Sequence, residues 1–372
     1  MDLGTTTVVA ELVDLASGHV LGVRSDLNPQ AFYGADIMRR FRFAGPLTQL
    51  IRKKIGQFVA ELSASGQVRD IVIVGNTAMH HLFCGIDVEP LRHAPFVSTR
   101  DGLEILHASE LRWDIPEEIP VRFLPCLGGF VGSDILAGIV ATGMDQSEAL
   151  VGLVDLGTNG EIVLGNRERM VCASAAAGPA FEAGRITMGM RATAGAIAAV
   201  RSGPTGPVCH VLGDVPPRGI CGSGLVDAVA VGLDMGVIAP SGRLAHTWTL
   251  APQVSLTQSD VRELQLAKAA IAAGIRILLR RWGATAAEVT RLHLAGAFGN
   301  YVDPARARRI GLFHFPSALV SPAGNTALQG AKIALFRDFA DLRRKVKHIS
   351  LAADPDFQEI YVEEMPFPAT SG

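Results

Sequence analysis

At 372 residues the chain exceeds the size at which one hydrophobic core stops growing, so two lobes are expected. Hydrophobic residues make up 48% and charged residues 19%, which excludes extended disorder, and a formal charge of -2 lacks the basic surplus that nucleic-acid binding requires. No apolar run reaches the roughly 18 to 20 residues of a bilayer crossing, and the N-terminus lacks the basic-then-apolar layout of a signal peptide. No nucleic-acid or membrane partner is therefore expected, and cytoplasmic residence is the default. The five cysteines (Cys84, Cys126, Cys172, Cys209 and Cys221) are scattered without a CxxC pair, so small buried thiols are expected and no iron–sulfur cluster on this chain.

In chain order, Asp2-Leu3-Gly4-Thr5-Thr6-Thr7 leads into the apolar Val8-Val9-Ala10, which reads as strand, tight turn, strand. Residues 71–74 form a short apolar strand ended by Gly75-Asn76-Thr77, and 121–124 a second strand before Pro125. Ser133-Asp134 is expected to cap a helix from Ile135 to about Thr142. The polar segment 145–148 places the lobe boundary near residue 147, giving a first lobe of 1–147 and a second of 148–372.

The second half opens on Asp155-Leu156-Gly157-Thr158-Asn159-Gly160 followed by Glu161-Ile162-Val163-Leu164, a copy of the first hairpin that suggests duplication. Thr257-Gln258-Ser259-Asp260 precedes a long helix to about Arg281, with Val261, Leu264, Leu266, Ala269, Ile271 and Ile275 at helical spacing. A strand at 292–295 enters Gly296-Ala297-Phe298-Gly299, and Gly324-Asn325-Thr326 starts another helical segment through Phe336. From Lys347 the tail reads strand then helix, and residues 366–372 are expected to be loose.

Polyphosphate binds where backbone N–H groups converge and no Cβ blocks the approach. Gly4, Thr5, Thr6 and Thr7 meet that need in the first turn, and Gly157, Thr158, Asn159 and Gly160 in the second. Asp2 and Asp155 are hard oxygen ligands able to hold Mg²⁺ through water; Asp2 is assigned to the metal and Asp155 to positioning the hydrolytic water. A single DxGT also marks any hairpin, so the weight lies in its two copies. Gly296, Ala297, Phe298 and Gly299 let a flat ring lie against backbone, or form a plain strand-to-helix turn. Glu182, after Gly178-Pro179, either reaches the nucleotide and its metal or is an exposed turn carboxylate. Gly222, Ser223 and Gly224 either open a helix towards an anion or let that helix pack tightly. His80 and His81 pack or cap, or else meet a partner, while His93 and His293 are expected in the core.

Asp2 to Thr7, Asp155 to Glu161 and Gly296 to Gly299 resemble the first phosphate, second phosphate and adenosine motifs of the acetate and sugar kinase, heat-shock chaperone and actin superfamily. Within it the chain is similar to the reductive activators of corrinoid proteins. That similarity lies in Gly75-Asn76-Thr77-Ala78-Met79-His80-His81, Ala176-Ala177-Gly178-Pro179-Ala180-Phe181-Glu182, Gly219-Ile220-Cys221-Gly222-Ser223-Gly224, and Gln258-Ser259-Asp260-Val261-Arg262-Glu263 with Leu266-Ala267-Lys268. It runs over nearly the whole chain.

The resemblance implies an α/β, two-lobed actin-like (ribonuclease H-like) fold of duplicated domains with a nucleotide cleft between them. It implies ATP and Mg²⁺ as ligands, a corrinoid protein of a methyltransferase system as partner, a homodimer, and ATP-dependent reduction of Co(II) to Co(I), aided by a change in axial ligation. It also implies an N-terminal [2Fe–2S] ferredoxin domain, to which nothing here corresponds. The chain starts at the aspartate of the first turn, so a truncated chain or a misplaced start codon is expected; such a chain binds and hydrolyses ATP but has no electron of its own to deliver. The alternatives are a sugar or carboxylic acid kinase, with an acceptor base among Asp87, Asp134 and Asp227, and an actin-like or chaperone-like module whose nucleotide regulates binding.

Overall fold

The computed structural model describes every residue except 34–36, 65, 94–95, 99, 158, 300 and 370–372, and the side chains of 37, 39 and 297 also fall outside it. The chain forms two compact units. The first comprises Met1–Ser147, Asn166–Cys172 and Asn325–Ser350, and the second Glu148–Gly165, Ala173–Gly324 and Leu351–Gly372.

In the first unit, β1 (Asp2–Leu3), β2 (Thr7–Val13) and β3 (Val20–Leu27) run antiparallel. β4 (Ile71–Gly75) lies parallel to β1 on its other side, followed by β5 (Glu104–Leu106) and β6 (Val121–Phe123) in the order β3-β2-β1-β4-β6-β5. All five residues of β4 are buried, as its unbroken apolar run requires of a parallel strand covered on both faces. The helix Ala44–Ser63 buries Leu47, Ile51, Ile55, Phe58, Val59 and Leu62 at spacings of three and four, in one core with Leu3, Val8, Ile73 and Phe123 of the sheet.

The helix after β6 spans Ser133–Ala141, but its cap is Gly132, which has no side chain to make a capping bond. The expected capping residue Ser133 instead accepts from Gly75 N–H at 3.1 Å and donates to Gly75 O at 3.2 Å. Glycine is required at the cap position because a Cβ on Gly132 would stand 2.2 Å from Gly75 O. The same helix meets Thr326–Ile333, where a Cβ on Gly330 would stand 2.2 Å from Ala137 O.

The second unit repeats the plan. β7 (Val151–Leu156) and β8 (Gly160–Gly165) form an antiparallel hairpin, with β9 (Met170–Ala175) next to β8. An insertion follows, made of β10 (Ala196–Gly203), β11 (Gly206–Val211) and β12 (Gly219–Ile220), the helix Gly222–Asp234, and the hairpin of β13 (Trp248–Ala251) and β14 (Val254–Leu256). β15 (Arg291–Ala295) is parallel to β7, and β16 (Val320–Gly324) to β15. The order β9-β8-β7-β15-β16 therefore copies β3-β2-β1-β4-β6, which is the duplication expected of an actin-like α/β fold. β17 (Val346–His348) extends the ladder of residues 170–172 in the first unit.

The helix Gln258–Trp282 matches its sequence signature. Thr257 and Asp260 form a reciprocal capping box, Asp260 also accepts from Thr187 N–H at 2.6 Å, and Gly283 closes the far end at φ +86°. It lies over β8 so closely that a Cβ on Gly160 would stand 1.7 Å from Ile271 Cδ1.

The tail is a correction to the sequence expectation of a loose end. Lys268, 1% exposed, donates to Pro366 O at 2.7 Å, Phe367 N–H donates to Pro240 O at 2.7 Å, and Arg309 donates to Pro368 O at 2.9 Å. Burying a lysine needs a fixed acceptor, and the tail backbone supplies it. Residues 370–372 lie outside the described residues. No helix among the described residues is long and apolar enough to cross a membrane.

Gly330→Ala forces two helix backbones apart, so we expect a loss of about 1–3 kcal/mol in stability, read as a lower urea midpoint with an unchanged slope.

Candidate functional site

The first turn, Gly4 to Thr7, is enclosed by the Leu3–Val8 pair of its hairpin. Its carbonyls are engaged from outside. Asn28, fully buried, donates to Gly4 O at 2.9 Å, and Asn28 N–H donates to Thr6 O at 2.8 Å. Arg40, 1% exposed, donates to Thr5 O at 2.9 Å, a charge-assisted bond of the kind worth on the order of 1.5–3 kcal/mol. Asn76 Nδ2 donates to the Thr5 hydroxyl at 2.7 Å. Gly4 cannot carry a side chain, because its Cβ would stand 2.6 Å from Thr7 O.

Asp2 is half-buried at the start of β1, and Asn325 Nδ2 donates to its Oδ2 at 2.8 Å. Burial raises its carboxyl pKa, and the Asn325 bond opposes that shift.

The second turn is enclosed by the Leu156–Gly160 pair, with Gly157 N–H donating to Asn159 O at 3.0 Å; Thr158 lies outside the described residues. Gly296, at φ +84°, docks on this turn: its Cβ would stand 2.6 Å from Asp155 Oδ1 and 2.7 Å from Leu156 O. The first unit holds the same arrangement. Leu3 pairs with Gly75, whose Cβ would stand 2.6 Å from Leu3 O. Asp155 pairs with Ala295, which sets Gly296 opposite Leu156. In each unit the leucine carbonyl of Asp-Leu-Gly-Thr rests against a glycine at the end of the neighbouring parallel strand, and only glycine permits that approach.

The four residues Gly296-Ala297-Phe298-Gly299 form a short helix. Phe298 is buried and stacks on Phe181 with ring centroids 4.9 Å apart. Through that stack the third motif joins the segment ending in Glu182, which is exposed in the turn Pro179–Glu182. Gly222 packs there too, since its Cβ would stand 1.9 Å from Phe181 O and 3.1 Å from Phe298 Cδ2. Ser223 is buried and donates to Ala198 O at 2.9 Å, and a Cβ on Gly224 would stand 2.1 Å from Ile197 O. Asp155, Gly157, Gly296 and Phe298 thus share one locality, with Phe181 and Gly222 behind it.

The histidines divide. His80 is fully buried, with Nε2 3.1 Å from Gly102 O and its ring edge-on to Phe123 at 4.9 Å; burial drops its pKa to about 4. His81 bridges Thr77 O and the Ser98 hydroxyl, each at 2.8 Å. His93 is not a core residue: it is exposed and meets Glu89 at 2.9 Å, four residues back on the same turn. His293 is half-buried in β15, and that burial lowers its pKa. Burial pushes the thiols of Cys84, Cys126 and Cys172 above the ordinary range, which keeps them protonated and unreactive.

Among the described residues no group of three or more His, Cys, Asp or Glu side chains is placed to hold a metal. Mg²⁺ does not need one, since it binds through one or two carboxylates with water and substrate phosphates. Asp2 and Asp155, each beside a glycine turn, are each a carboxylate of that kind. Sequence reasoning missed Asn28, Arg40, Asn76 and Asn325 as residues bonded to the first turn or to Asp2. Asn76 and Asn325 stood in view as turn punctuation, while nothing local marked Asn28 or Arg40.

A duplicated strand order, in which an antiparallel hairpin is joined by parallel strands and each copy carries an Asp-Leu-Gly-Thr motif, defines an actin-like (ASKHA) protein. A family model described as the RACo middle region matches residues 1–147, and one described as the C-terminal domain of RACo, the ASKHA domain, matches 149–372. The chain belongs to the RACo family. It is 34% identical to a corrinoid activation enzyme, RamQ, of Eubacterium limosum, covering 98% of this chain and 69% of that one. A [Co(II) methylated amine-specific corrinoid protein] reductase of Methanosarcina barkeri is 26% identical over 99% of this chain and 76% of its own length. A solved reductive activator for corrinoid, iron-sulfur protein superposes with a TM-score of 0.86 at 32% identity, covering all of this chain and 66% of that one. The chain thus spans about two thirds of that structure's length.

Asp227 is buried, accepts from Val200 N–H at 3.1 Å, and has its pKa raised to about 6, chiefly by burial. A folded pKa above the unfolded one means that the native state holds the proton between about pH 4 and 6, so this group's contribution falls as pH rises through that window. Asp227→Asn should therefore stabilise the protein by about 1–2 kcal/mol at pH 7.5, after allowing for solvent screening, and leave stability unchanged below pH 4. Urea unfolding at both pH values measures it.

Proposed function

We propose that this chain binds and hydrolyses ATP with Mg²⁺ and thereby drives the reduction of a corrinoid protein of a methyltransferase system from Co(II) to Co(I). The observation that carries the reading is the repeated turn: each unit presents Asp-Leu-Gly-Thr at a hairpin tip with a glycine set against its leucine carbonyl. The family membership and the names of the two relatives support the corrinoid part.

In this reading Gly4, Thr5, Thr6 and Thr7, with Gly157, Thr158, Asn159 and Gly160, receive the phosphates. Asp2 serves the metal, and Asp155 orients the water that adds to the γ-phosphorus as the bond to ADP breaks. Mg²⁺, when bound, would neutralise charge on the phosphate oxygens. The segment Gly296-Ala297-Phe298-Gly299 would border the adenine ring, with Glu182 at its approach, while Gly222, Ser223 and Gly224 support that segment by packing behind it. The electron would come from a [2Fe–2S] centre on the ferredoxin domain that the family resemblance implies. A cytoplasmic homodimer completes the proposal.

ATP turnover measured alone and with a Co(II) corrinoid protein tests it. We expect stimulation by the corrinoid protein, and Co(I) formation once a one-electron donor is supplied. Stimulation by a sugar or carboxylic acid with phosphoryl transfer to it would instead make the protein a kinase. Asp155→Asn should lower turnover by about 100-fold or more, whereas Asp2→Asn should raise the Mg²⁺ requirement by about 10- to 100-fold.

A further inference from the structure

Three asparagines touch the first turn, and they share one bonding pattern. Asn28 Oδ1 accepts from Gln30 N–H at 2.9 Å, Asn76 Oδ1 from Met79 N–H at 3.0 Å, and Asn325 Oδ1 from Leu328 N–H at 2.8 Å. A main-chain N–H can only donate, so each amide has its oxygen fixed on that side and its NH₂ fixed on the other. The three NH₂ groups then fall on the first turn and the strand that enters it: Asp2 Oδ2 from Asn325, Gly4 O from Asn28, and Thr5 Oγ1 from Asn76. Two of them, Asn76 and Asn325, are the N-caps of the helices Thr77–Cys84 and Thr326–Ile333. Those helices hold the amides rigid.

We infer that Asn28, Asn76 and Asn325 are positioning residues of the nucleotide site, a set of oriented donors that fixes the first turn in its phosphate-binding form. The inference rests on the ATP reading. Its sharpest consequence is at Thr5. Because the hydroxyl oxygen accepts from Asn76, its own hydrogen is turned away from Asn76 and serves as a donor to a phosphate oxygen. Asn325 acts in the same manner on Asp2, occupying Oδ2 and setting the carboxylate's orientation for a hydrated metal.

Capping and positioning separate experimentally, because Ser caps a helix about as well as Asn but cannot reach Thr5 with a donor. The test is equilibrium binding of a fluorescent ATP analogue, with Mg²⁺, to wild type, Asn76→Ser, Thr5→Val and the double variant, alongside thermal midpoints. We expect Asn76→Ser to weaken binding about fivefold with its midpoint within a few degrees of wild type. In the Thr5→Val background Asn76→Ser should cost nothing further, a coupling that a purely structural cap would not produce. Asn325→Ser should raise the Mg²⁺ concentration for half-maximal binding about fivefold without changing affinity at saturating Mg²⁺. Wild-type binding with no loss in Asn76→Ser, or an equal loss with and without the Thr5 hydroxyl, overturns the inference alone. Failure of the wild type to bind ATP sinks the nucleotide reading and this inference with it.

Discussion

A phosphate-binding turn presents backbone N–H groups and has almost no side chain of its own to hold its shape, so its geometry has to be imposed by its surroundings. Here the first turn is held through its oxygens. Asn28 takes Gly4 O and Thr6 O, Arg40 takes Thr5 O, and Asn76 takes the Thr5 hydroxyl. With those acceptors engaged, the peptide planes of the turn are fixed, which is what the proposed phosphate binding would require of it. Arg40 and Asn28 are buried to 1% and 0% exposure, so both donors are withdrawn from water.

The same constraint explains why the glycines sit where they do. A parallel strand must bring its end against the leucine carbonyl that precedes each turn, and any Cβ there would collide at 2.6 or 2.7 Å. Gly75 and Gly296 solve one geometric problem in two copies of the fold. The segments after the two glycines have diverged: Asn76 caps a helix of eight residues in the first unit, and Phe298 stacks on Phe181 in the second. One copy has become a rigid donor frame. The other has become an aromatic-backed surface beside Asp155.

The carboxylate beside the first turn is offset mainly by a neutral group. Burial works against the carboxylate of Asp2, and the strongest group opposing that burial is a neutral amide, Asn325. Elsewhere buried polar groups are structural. Asp260 closes the cap of the long helix, Asp227 takes Val200 N–H, and Lys268 and Gln265 bind the backbone of the tail.

The sequence by itself determined the hairpins, because an Asp-Leu-Gly-Thr turn beside β-branched residues is a local signal. It likewise determined the helix from Gln258, through its capping box and apolar spacing, and the duplication, through two copies of Asp-Leu-Gly-Thr. It exposed the family through motifs whose residues lie close together in the chain. Only tertiary structure decided the rest. That Gly75 is the counterpart of Gly296 depends on strand pairing across some seventy residues in one unit and about 140 in the other, a relation no local window contains. Ser133 gave up its expected cap because Gly132 had to pass against Gly75, and His93 faces solvent because its turn does. The tail is fixed because Lys268 and Gln265, spaced three apart on a helix, need its carbonyls. Asn28, Arg40, Asn76 and Asn325 reach the first turn and Asp2 for the same reason: hydrogen-bond partners far apart in sequence are set by the packed fold and leave no periodic trace in the chain.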